Sequence, residues 1–293
     1  MIKNRYGLMA TAMVVAGLGV AIFAVMVWYK AIYLDEQRTF WGGIDNALSV
    51  GTVTKSGSTN NANQNISQAQ TLSFRGDVGV QNLITVASPD ETEKIRVETQ
   101  GYADADYFRY LELKLADQAQ SDKAVDALNV WGVSDSAAGS NPQLLVESLV
   151  SSYVIYGNFG GQTKDNLKQI LRDGVYNVDF ATAIRTKSES GRPVYVYRVS
   201  VDMQKFSKLF AEYMRSLGNA TLAGVVEAQS DSLSGVTKNV DLSIDARSRN
   251  IISIVDLQSG NNGDIYTAQG AFSNFSRPTD AIDFSELRAR LDN

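Results

Sequence analysis

An unbroken apolar run at residues 8–29 constrains this chain more than any other feature. Its 22 residues, at 1.5 Å per helical residue, span roughly 33 Å, which is enough to cross the hydrocarbon core of a bilayer. Lys3 and Arg5 precede the run, whereas the charges of residues 30–38 that follow it cancel. Because positive residues stay on the cytoplasmic side, we expect residues 1–7 to be a cytoplasmic tail and residues 8–29 to be a single-pass anchor. The rest of the chain then lies outside the cytoplasmic membrane.

A cleaved signal peptide is the alternative to a permanent anchor. Such a peptide has an apolar core of roughly 7–15 residues, followed by a cleavage site of small residues. Here the run ends in the bulky residues Val27, Trp28 and Tyr29, so we interpret it as an uncleaved signal-anchor. A lipid anchor would need a cysteine, and the chain has none.

The absence of both histidine and cysteine limits the chemistry of this chain. Without them there is no Ser-His-Asp triad, no Cys-His pair, no HExxH metalloprotease motif and no usual zinc site. The net charge is −5 and the pI is about 4.9, which argues against nucleic-acid binding because no basic stripe is present. We therefore predict a protein that is not an enzyme and has no catalytic residues, metal site or cofactor.

Composition divides the chain after the anchor into three further parts. Residues 30–50 contain aromatic residues typical of membrane interfaces, and we predict a helical juxtamembrane stalk that breaks near Gly42 and Gly43. Residues 51–70 are mostly Gly, Ser, Thr, Asn and Gln, which predicts a flexible polar linker with a reach on the order of 25 Å. Residues 71–293 are expected to form one extracytoplasmic domain.

The pattern of apolar residues in this domain predicts an α+β fold. Alternating apolar residues near 72–80, 95–97 and 107–115, and again at 193–201 and 236–257, indicate strands. The strongest helix prediction begins after Asp202, a residue suited to capping a helix, and ends at Gly218. Its apolar residues recur every three or four positions: Phe206, Leu209, Phe210, Tyr213, Met214 and Leu217.

Four segments carry a resemblance to known families. VYNVDF at 175–180 and GRPVYVYRVSV at 191–201, followed by the helix to Gly218, resemble membrane-anchored, uncharacterised envelope proteins of Patescibacteria-type bacteria. DLSID at 241–245 with NII at 250–252 is similar to the ending of the LolA/LppX-like superfamily. This resemblance covers roughly residues 71–290 and implies a curved antiparallel half-barrel covered by helices. Several members of the superfamily carry acyl chains. It identifies no ligand-binding residue by motif.

Two functions from different classes follow from these expectations. The first is a membrane-tethered extracytoplasmic binding module for a lipid or other apolar ligand, or for handling a lipoprotein. Met203, Phe206, Phe210 and Tyr213 are then the ligand-pocket candidates, on the face of their helix that would meet the sheet. The second is a structural or interaction protein of the envelope or cell surface, with a solid core and a partner in the envelope or on a host cell. An enzyme that uses carboxylates alone, such as Asp104 and Asp106, is a third and weaker hypothesis.

Overall fold

A large antiparallel sheet with helices packed on it forms the body of this protein. The computed structural model describes residues 18–29, 35–135, 143–150, 152–188, 190–258, 263–271 and 275–292. Its strands are β1 (Thr52–Asn60), β2 (Asn65–Ser73), β3 (Gly79–Ala87), β4 (Lys94–Gly101), β5 (Ala105–Lys114), β6 (Gly132–Asp135), β7 (Tyr176–Val178), β8 (Ile184–Lys187), β9 (Pro193–Asp202), β10 (Thr237–Asp245), β11 (Ile251–Asp256), β12 (Asp264–Gln269) and β13 (Ile282–Asp283). Its helices are α1 (18–28), α2 (Glu36–Leu48), α3 (Gln118–Lys123), α4 (Leu144–Val150), α5 (Gly161–Ile170), α6 (Met203–Ser216), α7 (Ala220–Ser230) and α8 (Phe284–Asp292).

These strands join in one curved, open sheet. The order across it is β13-β6-β5-β4-β3-β2-β1-β12-β11-β10-β9-β7, and β8 pairs with β9 as a hairpin arm. Pairing of β1 with β12 connects the N-terminal meander to the C-terminal one. Among the pairs formed by these strands, only β6 with β13 is parallel. The predicted α+β class is confirmed.

The prediction of a flexible linker at 51–70 is wrong. Residues 52–60 and 65–73 are β1 and β2, a hairpin in the middle of the sheet that pairs from Thr52 with Ser73 to Asn60 with Asn65. Strand pairing satisfies the backbone groups of this polar segment, and its apolar residues Val53 and Leu72 are buried in the core. Composition suggested disorder because the outer halves of both strands are polar on their exposed sides.

The prediction of a stalk is wrong for residues 36–48, while residues 30–34 lie outside the described part of the chain. Residues 36–48 form α2, which begins after Asp35 and runs without a break through Gly42 and Gly43. A Cβ atom on Gly43 would lie 2.7 Å from Ile244 Cδ1, and one on Gly42 would lie 2.4 Å from Arg249 Cδ. The glycines therefore allow α2 to approach the β10–β11 hairpin closely.

One continuous core joins α2, α4, α5 and α6 to the sheet. Phe40, Leu145, Leu171, Leu209 and Leu242 are buried members of this cluster from successive parts of the chain. A smaller core cluster lies at β5, around Tyr102, Ala105 and Tyr107. The core therefore includes α2, which begins seven residues after Tyr29, and no flexible segment separates the domain from that helix.

The predicted anchor is described only in part, because residues 8–17 lie outside the described residues. Within the described residues, no helix is both long and apolar enough to cross a membrane. Residues 18–28 are helical, and large apolar side chains along them have exposed fractions between 48% and 69%. The membrane anchor and its orientation stay predictions.

Candidate functional site

The four predicted pocket residues lie on α6 and pack into the core. Phe206, Phe210 and Tyr213 are buried, and Met203 is half-buried against them. The rings of Phe206 and Phe210 stack with centroids 6.3 Å apart, and the Tyr213 ring lies 5.5 Å from that of Phe210. The Tyr213 hydroxyl donates a hydrogen bond to the Tyr156 carbonyl at 2.9 Å. Their helical spacing predicted that these side chains share one face of α6, and on that face they pack against other side chains of the core.

Four surface pockets lie elsewhere, and none of these four is lined by the α6 candidates. The largest, of about 630 Å³, is a cleft beside the start of α2. The other three have volumes of about 220, 370 and 220 Å³. The sheet itself presents further apolar surface outside the core.

Side chains on the helix-bearing face of β2–β5 form rows across the strands, because alternate residues of a strand share a face. The row nearest the core contains Leu72 and Val80, which pair opposite each other and are buried. Two rows further out are almost entirely apolar. We call the apolar side chains of these two rows the apolar rows: Ile66, Ile84, Val86, Ile95, Val97, Tyr110 and Leu113.

A hydrogen-bonded polar row separates the core from the apolar rows. Gln70 Nε2 donates to Asn82 Oδ1 at 2.8 Å and to Ser148 Oγ of α4 at 3.0 Å. Asn82 Nδ2 continues the row with a hydrogen bond to Thr99 Oγ1 at 3.1 Å. Because buried polar groups need partners, this row marks the edge of the region that α4 covers. Gln70 Oε1 is buried and has no hydrogen-bond partner among the described residues.

The apolar rows are half-buried and belong to neither core cluster. α4 borders them at the polar row, since Gly101 of β4 packs directly beneath Leu144 and Leu145. α8 borders them at the β5 edge, where the Phe284 ring lies 5.2 Å from that of Phe108. With neighbouring strands about 4.8 Å apart, each row extends about 14 Å from β2 to β5. The described side chains in these rows carry no charge, which suits contact with an apolar chain.

The cleft beside α2 has a different, cationic character. It is lined by Asp35, Gln37, Arg38, Trp41, Arg172, Tyr176, Asn177, Val178 and Phe180. The guanidinium of Arg172 stacks over the Trp41 ring, 4.8 Å from its centroid. Asp35 caps α2, because its Oδ1 accepts a hydrogen bond from the Arg38 backbone amide at 2.8 Å.

The two carboxylates that an enzyme hypothesis would use hold parts of the fold together. Arg277 donates to both oxygens of Asp104 at 2.7 and 2.9 Å, and this contact lowers the pKa of that carboxyl. Burial raises the pKa of Asp106, even though the amides of Gln143 and Leu144 donate to its Oδ2 at 2.8 and 3.3 Å. Asp104 thus forms an ion pair and Asp106 caps the chain entering α4. Their geometry provides structural roles.

Sequence reasoning missed both the apolar rows and the cleft. One usable signal for the apolar rows was the spacing of Ile84 and Val86, and of Ile95 and Val97. The two residues of each pair are two positions apart, and the pairs lie in adjacent strands. The cleft combines Arg38 with Arg172. Because these residues are distant in sequence, no local sequence pattern predicts the cleft. In comparisons with known proteins, no family model and no curated protein matches this chain.

Proposed function

We propose that this chain is a membrane-tethered extracytoplasmic binding module that holds the acyl chain of a lipid on its apolar rows. One observation carries the proposal: an uncharged, half-buried apolar surface lies outside both core clusters, on the face of the sheet that carries the helices. Apolar surface of this kind is costly to leave in water, at about 25 cal/mol per Å². Exposed apolar patches of a folded domain commonly mark binding sites.

The position of the apolar segment favours a lipid as the ligand. Asp35 follows Tyr29 by six residues, which span at most about 20 Å when fully extended. If residues 8–29 anchor the chain, the domain stays close to the bilayer surface. Acyl chains are then the apolar ligands present at the highest effective concentration. The exposed apolar side chains of residues 18–28 support such an anchor.

The resemblance to the LolA/LppX-like superfamily supports the proposal at the level of the overall architecture. A curved, open antiparallel sheet with helices on one face agrees with the fold that the resemblance implies. Within this chain, the proposed ligand surface lies on β2–β5. The α6 residues are packed, so we assign them to the core and no longer to the ligand.

A second candidate function is the binding of a partner protein, in the envelope or on another cell, through the same apolar rows. The packing of Phe206, Phe210 and Tyr213 favours it, because a solid core leaves surface contacts as the means of binding. An apolar segment of a lipoprotein or membrane protein would then take the place of the acyl chain. The lipid content of the purified protein separates the two functions.

We expect Ile84→Asp and Val97→Asp each to lower the amount of co-purifying lipid several-fold. A carboxylate in an apolar contact must be desolvated, which costs several kcal/mol. The measurement is the lipid-to-protein ratio of the full-length chain after purification in a mild detergent, by native mass spectrometry. Ile84→Ala, which removes contact without adding charge, should give an intermediate loss.

Thr85→Asp is the matched control, because Thr85 follows Ile84 in β3 and lies on the opposite face. It should leave bound lipid unchanged, and thermal unfolding of every variant checks that the fold is retained. A wild-type chain that carries no lipid, or equal lipid in all variants, would contradict the acyl-chain proposal. In that case a protein captured only by chains with intact apolar rows would support the second function.

A further inference from the structure

The cleft beside α2 contains two arginines whose charges are not neutralised within the described residues. Three other cations around α2 are paired: Arg185 with Glu36, and Lys164 and Lys168 with Asp45. For the side chains of Arg38 and Arg172, by contrast, the described residues provide no ion pair. In a chain of net charge −5, two guanidinium groups that share one cleft and have no ion pair among the described residues form a local cationic site.

We propose that this cleft binds the phosphate of an anionic lipid headgroup at the membrane surface. The inference rests on the proposed membrane tether, and it assigns a second contact with lipid, distinct from the apolar rows. Guanidinium groups present several N–H donors in a planar fork that matches phosphate oxygens. The cleft volume of about 630 Å³ lies within the usual range of small-ligand pockets, roughly 300–1,000 Å³.

The acidic residue in the cleft is already engaged by the fold. Asp35 is the one carboxylate among the described lining residues. Its Oδ1 accepts from the Arg38 amide, so this carboxylate is directed at the end of α2. The lining residues therefore keep a net charge of +1, from two arginines and one aspartate. Arg172 is further fixed in place by its stacking on Trp41.

Aromatic and apolar residues around the cleft favour a lipid headgroup over a soluble anion. Trp41 and Phe180 line it, and tryptophan is enriched where proteins meet the headgroup layer. Ile184, beside Arg185, is 62% exposed, and Arg185 pairs with Glu36 at the first turn of α2. This end of the domain, at the first turn of α2, therefore combines cationic and exposed apolar side chains.

The test compares lipid classes retained by the full-length chain. Wild-type protein purified from membranes of mixed composition should retain phosphatidylglycerol in preference to phosphatidylcholine. The double variant Arg38→Gln/Arg172→Gln should lose this preference, by about fivefold for each arginine removed. Arg38→Lys/Arg172→Lys keeps the charges and should restore much of it. Arg198→Gln is the matched control and should behave as wild type, because Arg198 is an exposed arginine of β9 that pairs with Asp241 of β10.

The outcomes separate this inference from the proposed function. Equal retention of the two lipids by wild type, or an unchanged preference in the double glutamine variant, would overturn the cleft assignment while lipid on the apolar rows stands. Absence of all lipid from the wild type would overturn the proposed function. A further experiment titrates the protein with glycerol phosphate. If glycerol phosphate binds as tightly as the lipid, and the double variant loses this binding, the cleft is a site for soluble anions. That result would overturn the headgroup assignment.

Discussion

Replacing Phe40 by alanine is expected to lower the free energy of unfolding by about 3–5 kcal/mol, the usual cost of deleting a fully buried phenylalanine. Phe40 is completely buried. Its ring lies 5.0, 5.2 and 5.6 Å from the rings of Trp41, Tyr197 and Phe180 in edge-to-face contacts. The Tyr197 hydroxyl also donates to the Glu36 carbonyl at 2.8 Å, which ties the same turn of α2 to β9. Truncation would leave a cavity lined by aromatic rings that cannot collapse easily.

Urea unfolding of the full-length chain in mild detergent, followed by tryptophan fluorescence, measures this loss. Gln37→Ala is the control, since Gln37 is an exposed residue of the same helix, and it should change stability by less than about 0.5 kcal/mol. Equal, small effects of the two substitutions would mean that α2 is a stalk outside the core, as composition alone suggested.

Replacing Gly101 by valine is expected to destabilise the protein by about 1–3 kcal/mol or more, as overpacking does. A Cβ atom at this position would lie 2.6 Å from Leu144 Cβ and 2.8 Å from the Leu145 amide nitrogen. These atoms belong to or adjoin the backbone of α4, so they cannot move aside as the tip of a flexible side chain can. α4 must therefore shift away from the sheet, and with it Ser148, which bonds Gln70 of the polar row.

Gly57→Val is the matched control for this substitution, because Gly57 is also a strand glycine and a Cβ there meets no atom within 4 Å. Valine favours strands, so the control should be neutral or slightly stabilising. Thermal unfolding of the two variants provides the comparison. If Gly101→Val were as stable as Gly57→Val, α4 would not pack against β4 in the way described.

Local sequence signals predicted the elements whose boundaries depend on neighbouring residues. The helix after Asp202 is α6, and the Asp202 side chain accepts from the Lys205 amide at 3.0 Å, as a capping residue does. Gly218 ends the helical region with a φ of +83°, a backbone conformation that glycine adopts readily. Such features are set within a few residues, and the sequence carries them directly.

The errors arise where long-range pairing decides the structure. β1 is polar along much of its length, yet it lies between β2 and β12, and the pairing of Lys55 with Asp264 across a sequence separation of 209 residues is invisible in composition. α2 was mistaken for a stalk because its neighbours in space, Tyr197 and Ile244, follow it by some 150 residues or more.

The candidate site shows the same division. Helical spacing correctly placed Phe206, Phe210 and Tyr213 on one face of α6, but it could not show whether that face meets a cavity or other side chains. The apolar rows depend on the register of β2 to β5, and a change of register by one residue would turn them to the other face. Only the paired strands reveal that Ile84 and Val97 lie side by side.

Photo-crosslinking at Ile84 tests the central claim most directly. A benzophenone amino acid is placed at Ile84 in one full-length protein and at Thr85, on the opposite face, in another. Both are purified in mild detergent and irradiated, and the mass of each crosslinked product is measured. We predict a lipid adduct, joined through its acyl chain, at Ile84 and none at Thr85. A lipid-free product at Ile84, or equal lipid adducts at both positions, would show that the apolar rows do not bind an acyl chain.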